Sequence, residues 1–232
     1  MHLFYAPDIS IHAELPADEA QHCIRVLRLS PGDEIALTDG KGYFYKAEII
    51  AVDGKRCTVA VRNTIFNEPP RPCRLHIALA PTKNMERNEW LAEKATEIGL
   101  DELTFLNCRF SERKEIKTAR VEKILIAAIK QSFNAHLPRL NEMTDFDTFI
   151  RRDFRGRKFI AHCRGGEMFP LKDVAPADED ALILIGPEGD FSAEEVEKAI
   201  ANGFIPVILS KFRLRTETAA LVACCILNQA NQ

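Results

Sequence analysis

The sequence predicts an α/β protein in which a β-rich N-terminal part precedes a larger part built on a mostly parallel sheet. Two observations predict this division of the 232 residues. Up to about residue 68, strand-like runs are separated by the hairpin signals Asp39-Gly40 and Asp53-Gly54. From about residue 74 onward, short apolar runs alternate with helical patterns, which is typical of a parallel sheet covered by helices on both faces.

The N-terminal part, residues 1–68, is predicted to contain one helix and three strands. The helix is expected over 18–29, with Asp18 as its N-cap, and the strands follow within 32–63. Three prolines within 67–74 predict a stiff linker. The second domain is therefore expected to span 74–232.

The C-terminal part is predicted to alternate five strands with four helices. The strands are expected at 75–80, 103–106, 158–162, 181–185 and 207–209, and the helices at 84–98, 118–134, 193–202 and 216–229. Gly99 should end the first of these helices, and Ser192 with Glu195 forms a capping box for the third. Thr216 or Thr218 is expected to cap the last helix.

Composition excludes several classes of protein. The chain is 46% apolar and 28% charged, as in globular proteins, and it has no apolar run long enough to span a membrane. Its N-terminus lacks the pattern of a signal peptide. Seven cysteines show no paired spacing, so we expect reduced thiols, no metal site and a cytoplasmic protein. The net charge of −3 means that any RNA-binding surface must be local.

Two loops at the carboxyl edge of the predicted sheet are candidates for a ligand site. In open α/β sheets, ligands bind at this edge. The first loop, Gly186-Pro187-Glu188-Gly189-Asp190, lies between an apolar strand and a well-capped helix, and the second precedes the last helix. The first could be an ordinary turn or a phosphate cradle, although it lacks the Walker Lys-Ser/Thr pair. Residue patterns alone predict only a polar, glycine-lined site.

The segments "LILIGPEGDFSAEEVEKA" and "LSKFRLRTETAALVA" together resemble the RsmE family of the SPOUT methyltransferases. The similarity continues through "HCIRVLRLSPGDEIALTDGKG", "KNMERNEWLAEKATEIGLDEL" and "AAIKQSFNAHLPRL" and covers nearly the whole chain. It implies methylation of a uridine at N3 in 16S ribosomal RNA with S-adenosylmethionine as cofactor. It also implies a PUA-like β-barrel at the N-terminus, a C-terminal trefoil knot in a SPOUT-type parallel sheet, and a homodimer.

The resemblance also assigns residues to the site. The matching cofactor positions are Ile185, Gly186, Pro187, Glu188, Gly189, Leu209, Ser210, Leu214 and Thr216. The glycines are expected to let the backbone approach the cofactor. For catalysis we select Arg215, as an electrostatic group for the uracil, and Glu217, which would orient Arg215 or accept the proton.

The partner of the enzyme would be 16S rRNA or the small ribosomal subunit. A helical stripe of His22, Arg25 and Arg28, with Lys41 on the next hairpin, is the expected RNA-binding surface. Ser210 and Phe212 depart from the usual family motif. These departures keep open the alternative of a non-catalytic RNA-binding assembly protein. A second alternative is another SPOUT RNA methyltransferase that acts on a different base or on a ribose.

Overall fold

A computed structural model describes residues 2–231. The chain forms two compact units. The first contains residues up to Pro69 together with Ile126–Leu137, and the second contains Pro70–Leu125 and the chain from Pro138 onward. The division of the protein into domains at 1–68 and 74–232 stays a prediction.

The first unit is organised around a four-stranded sheet. Its strands are β1 (Leu3–Tyr5), β2 (Glu34–Thr38), β3 (Tyr43–Asp53) and β4 (Arg56–Phe66), in that order across the sheet. β1 runs parallel to β2, and the other pairs are antiparallel. The three predicted strands are present, and alternate side chains such as Leu37 and Ile49 are buried in its core.

The predicted helix over 18–29 is wrong in both its cap and its end. Helix α1 (Ala17–Gln21) has Pro16 at its N-cap without a side-chain hydrogen bond, so Asp18 is not the cap. One π-helical segment, His22–Val26, follows. The chain then leaves the helix because Arg28 adopts a φ of 57° and Leu29 N donates to the Cys23 carbonyl at 3.1 Å.

The second unit is an all-parallel sheet flanked by helices. Its strands are β5 (Leu75–Leu79), β6 (Glu102–Asn107), β7 (Arg139–Asp145), β8 (Arg157–Ala161), β9 (Phe169–Pro170), β10 (Ala181–Ile185) and β11 (Ile205–Ile208). The remaining helices are α2 (Met85–Ile98), α3 (Thr118–Ser132), α4 (Phe146–Phe149), α5 (Leu171–Val174), α6 (Ala193–Ala201) and α7 (Thr216–Gln229). The part of α3 from Ile126 onward belongs to the first unit. The predicted α/β class with a parallel sheet is confirmed. The strands β7 and β9 and the short helices α4 and α5 were not predicted.

The order of strands determines which loops meet. Across the sheet the order is β7-β6-β5-β10-β8-β11-β9, and every neighbouring pair is parallel. The central strands β5 and β10 are buried along their full length, as strands with helices on both faces are. Because β8 lies between β10 and β11, the chain segments that follow these three strands emerge side by side at one edge.

Local signals fix the helices that border this edge. The Asn84 side chain accepts the Glu86 N–H at 2.9 Å at the start of α2, and Gly99 follows its end with a φ of 109°. Ser192 and Glu195 form the predicted capping box of α6.

A buried arginine joins the beginning of the second unit to α7. The Arg71 guanidinium donates to the Asn228 side chain at 2.7 Å, donates to the Gly99 carbonyl and pairs with Asp101. Only 6% of Arg71 is exposed, so these partners satisfy a charge that would otherwise be costly to bury.

Candidate active site

A cleft of about 310 Å³ lies at the carboxyl edge of the parallel sheet. Its walls are the loops that follow β10 and β11, and Ala161, His162 and Cys163 lie between them at the end of β8. The volume is at the lower end of the roughly 300–1,000 Å³ typical of small-molecule sites. The position is the one where open α/β sheets bind ligands.

The structure brings most of the predicted cofactor residues together in this cleft. The lining residues among them are Ile185, Gly186, Pro187, Glu188, Leu209, Ser210, Leu214 and Thr216. Gly189 is outside the lining, and a Cβ on it would lie 3.3 Å from the Phe110 Cβ.

Gly186 is favoured by the tight packing of the loop itself. A Cβ at this position would lie 3.0 Å from the backbone nitrogen of Phe191 and 3.3 Å from the Asp190 carbonyl carbon. The tight return of the chain therefore leaves little room for a side chain, even without a ligand. The role predicted for the glycines, to let the backbone approach the cofactor, stays a prediction.

The two carboxylates of the first loop hold the site together. Glu188 Oε1 accepts the Lys83 backbone N–H at 2.9 Å, which attaches the loop to the segment after β5. Asp190 accepts the backbone N–H groups of Cys163 at 2.9 Å and Phe191 at 2.8 Å. Asp190 has a φ of 65°, a conformation that aspartate tolerates better than most residues. Neither carboxylate could be assigned this bridging role from sequence, because the partners are distant along the chain or on the backbone.

The second loop is attached to the first through Thr216. Its Oγ1 donates to the Gly186 carbonyl at 3.1 Å, and α7 has Arg215 at its N-cap without a side-chain cap. The prediction that Thr216 or Thr218 caps α7 is therefore wrong. Ser210 Oγ accepts the Phe212 N–H at 3.1 Å, so this departure from the family motif stabilises a local turn. Phe212 itself is 82% exposed.

The two predicted catalytic residues occupy different environments. Arg215 is exposed and lines the cleft, and its guanidinium has no partner among the described residues. Glu217 is buried, with Oε1 at 3.7 Å from Arg87 Nε and Oε2 unpaired within the described chain. Arg87 lines the cleft, whereas Glu217 does not. Sequence analysis missed Arg87, because no local pattern links a residue of α2 to one of α7.

His162, which its titration range makes a candidate base although it lies outside the matching motifs, is a further cleft residue. Burial lowers the pKa of His162 below its ordinary value, partly opposed by Asp190. Its Nδ1 accepts the Arg164 backbone N–H at 3.2 Å. The adjacent Cys163 is the exposed thiol of this chain, whereas Cys225 is half-buried and the other five cysteines are buried.

The predicted RNA-binding residues lie in the first unit. His22, Arg25, Arg28 and Lys41 are all exposed. The expected helical stripe does not form, because the π-helical segment and the left-handed Arg28 change the direction of the chain. Lys41 Nζ donates to the Pro7 carbonyl at 2.9 Å, so part of its hydrogen-bonding capacity is already engaged.

Within residues 2–231, no cluster of three or more His, Cys, Asp or Glu side chains could hold a metal ion. Over the same residues, no helix is long and apolar enough to cross a bilayer.

Comparison with known proteins identifies the kind of enzyme. A family model described as an RNA methyltransferase domain matches residues 69–228, and one described as an RNA methyltransferase PUA domain matches 15–62. A structure from Porphyromonas gingivalis, described as a "probable rRNA-methyltransferase", is 45% identical, with a TM-score of 0.89, and the match covers 97% of this chain and 95% of that one. A methyltransferase of Legionella pneumophila, solved with bound SAM, is 30% identical, with a TM-score of 0.88 and coverage of 99% and 97%.

The ribosomal RNA small subunit methyltransferase E of Synechocystis is 30% identical over 241 residues, which cover 97% of this chain and 76% of that relative. The parallel sheet, the cleft at its carboxyl edge and the PUA-like domain at the N-terminus thus define an RNA methyltransferase. The chain belongs to the family of ribosomal RNA small subunit methyltransferase E, the RsmE family that its motifs resemble.

Proposed function

We propose that the protein transfers a methyl group from S-adenosylmethionine to N3 of a uridine in 16S ribosomal RNA. The observation that carries this proposal is the cleft formed by the loops after β10 and β11, in a chain of the RsmE family. The SAM-bound relative from Legionella, which aligns along nearly the whole chain, supports the choice of cofactor.

The residues of the cleft fit such a cofactor. Ile185, Leu209 and Leu214 provide apolar surface for an adenine ring, while the adjacent backbone provides polar groups. Bonds from Glu188, Asp190 and Thr216 fix the loops before any ligand arrives, which reduces the ordering cost of binding. When bound, the cofactor supplies a methyl group on a positively charged sulfur.

The chemistry assigned to this chain concerns the uracil. Its N3 must lose a proton before it can act as a nucleophile, and negative charge then develops on the uracil oxygens. Arg215 is proposed to stabilise this charge, because its unpaired guanidinium lines the cleft and offers a planar set of donors.

Glu217 is proposed to act through Arg87 rather than on Arg215. The carboxylate lies 3.7 Å from Arg87 Nε and outside the cleft lining. It would therefore orient a second cleft arginine. Alternatively, Glu217 would accept the proton that uracil N3 loses, through its unpaired Oε2.

The substrate is proposed to contact the first unit, whose sheet we interpret as a PUA-like β-barrel. His22, Arg25, Arg28 and Lys41 are the proposed RNA contacts, and the two arginines and the lysine would bind phosphates. A trefoil knot in the C-terminal third, a domain division at 1–68 and 74–232 and a cytoplasmic location are further parts of the proposal. They are supported by family membership.

A homodimer is proposed on the basis of α7. Its half-exposed apolar side chains Leu221, Val222 and Cys225 leave one face of the helix incompletely covered. Leu227 does not belong to this face, because it is only 2% exposed within the chain. Sedimentation at micromolar concentration should give twice the mass of one chain. A monomer would exclude the dimer.

Nucleoside mass spectrometry of 16S rRNA from cells with and without the protein tests the activity. Loss of N3-methyluridine in the deletion, with return on complementation, is the expected result. In vitro, S-adenosylhomocysteine should protect Cys163 from a thiol reagent, because this exposed thiol lines the cleft. Unchanged methylation in the deletion strain would refute the proposed function.

A further inference from the structure

The end of α3 places a phenylalanine in a conformation that its side chain disfavours. The helix ends at Ser132, and Phe133 has a φ of 53°. Asn134 N donates to the Ile129 carbonyl at 2.9 Å, which makes Phe133 the left-handed residue of a Schellman motif. Glycine is the usual residue there, because a Cβ makes this conformation unfavourable.

The Phe133 ring does not compensate for this conformation by burial. It is 57% exposed, so much of its apolar surface stays in contact with water. Neither the backbone nor the core of the first unit accounts for an aromatic residue here. A strained residue that the local structure does not need indicates a role in function.

Phe133 lines a second cleft, of about 350 Å³, that lies within the first unit. His2, His22 and Gln131 also line it, and none of these three side chains is hydrogen-bonded by a described residue. Lys130 Nζ lies at the same cleft but donates to both oxygens of Glu19, at 2.7 and 2.9 Å. The cleft thus offers an aromatic face and hydrogen-bonding groups, while its lysine charge is already compensated.

We propose that this cleft binds an unstacked nucleobase of the RNA substrate, with the Phe133 ring as the stacking surface. Imidazole and amide groups match the donors and acceptors on a base edge, and base stacking on an exposed aromatic ring is the common mode of single-strand recognition. A phosphate is a poorer occupant, because Lys130 is paired with Glu19. The inference rests on the proposed function as an enzyme of RNA.

The substitution Phe133→Gly distinguishes a role of the ring in RNA binding from a role in folding. The substitution removes both the ring and the unfavourable Cβ, so thermal stability should rise while affinity for a 16S rRNA transcript falls about tenfold. The salt dependence of binding should keep its slope, because no ionic contact is lost. Phe133→Trp should retain affinity. Ile11→Ala, which truncates a side chain that is 76% exposed elsewhere in the unit, is the matched control and should change neither property.

The outcomes of this experiment are distinct. If Phe133→Gly binds RNA within twofold of wild type while Arg28→Ala still binds more weakly, the proposal of a nucleobase site is overturned. The proposed function is then left intact. A loss of stability in Phe133→Gly would overturn the nucleobase site too, since the ring would then serve the fold. Failure of the wild-type protein to bind both the transcript and the small ribosomal subunit would instead contradict the proposed function.

Discussion

The carboxylate of Asp190 accepts the backbone N–H of Cys163 at 2.9 Å and thereby joins the loop after β10 to the end of β8. The same carboxylate accepts the Phe191 N–H at 2.8 Å. The Asp190 side chain thus fixes the position of the loop after β10 relative to the end of β8. Preorganisation of this kind lowers the free-energy cost of ordering loops around a ligand.

Asp190→Gly should weaken S-adenosylhomocysteine binding about tenfold, equivalent to about 1.4 kcal/mol for two lost hydrogen bonds. Glycine accommodates the φ of 65°, so backbone strain would not explain the loss. Titration calorimetry measures the affinity for S-adenosylhomocysteine. Ile200→Ala, on the exposed surface of α6, is the control. Affinity equal to that of the wild type would show that the two Asp190 hydrogen bonds have no part in cofactor binding.

Arg215→Lys should lose most methylation activity although the charge is kept, because an ammonium group does not reproduce the planar fork. Single-turnover rates with wild type should rise with pH through the neutral range, since the uracil anion is the reactive species. An active Arg215→Ala enzyme, together with a pH-independent chemical step, would refute this assignment. Cofactor binding measured in parallel separates chemistry from affinity.

Arg28→Ala should reduce RNA affinity and lower the salt slope by about one. Lys41→Ala should have the smaller effect of the two, because Lys41 Nζ is already bonded to the Pro7 carbonyl and lies 4.0 Å from Asp8. Filter binding across a salt series provides both quantities. If methylation falls while affinity and slope stay constant, the first unit has another role.

His76 should make stability depend on pH. Burial lowers the pKa of His76 to about 4, although Glu102 acts in the opposite direction. The unfolded chain, with a histidine pKa of about 6.5, then binds the proton more tightly, so the free energy of unfolding falls as pH drops from about 6.5 toward 4. The loss attributable to this residue at pH 5 is about 2 kcal/mol.

Urea unfolding at pH 7 and pH 5 measures this effect. His76→Gln retains a polar group near Thr104 Oγ1, which lies 2.8 Å from Nε2 in the wild-type protein, but cannot titrate. The difference between the two pH values should therefore be smaller for the variant. Equal differences for both proteins would exclude His76 as the source.

Much of the second unit could be predicted because its signals are local. α7 spans Thr216–Gln229 as expected, and the strand Ala181–Ile185 follows directly from a continuous apolar run. The two loops of the cleft follow from the rule that ligands bind at the carboxyl edge, whereas the individual cofactor residues were assigned from the resemblance to the RsmE family. An element can be predicted where one short segment contains both its hydrophobic pattern and the residues that begin and end it.

The elements and contacts that were not predicted have sequence signals that are weak or not local. β7 was missed because "RLNEMTD" is a polar, half-exposed edge strand without an apolar run. The helix before Arg28 looked regular because apolar spacing does not distinguish a π-helical turn from an α-helical one. Arg87 and the bridging carboxylates depend on partners far away in sequence, which only the folded chain brings together.

The two borders of the parallel sheet limit how this protein can aggregate. One border is β9, which has only two residues and ends in Pro170, a residue without a backbone N–H. The other is β7, which carries Glu142 and Asp145. Short or charged borders discourage strands of a second molecule from adding to the sheet. Amyloid-like growth from the sheet is thereby disfavoured.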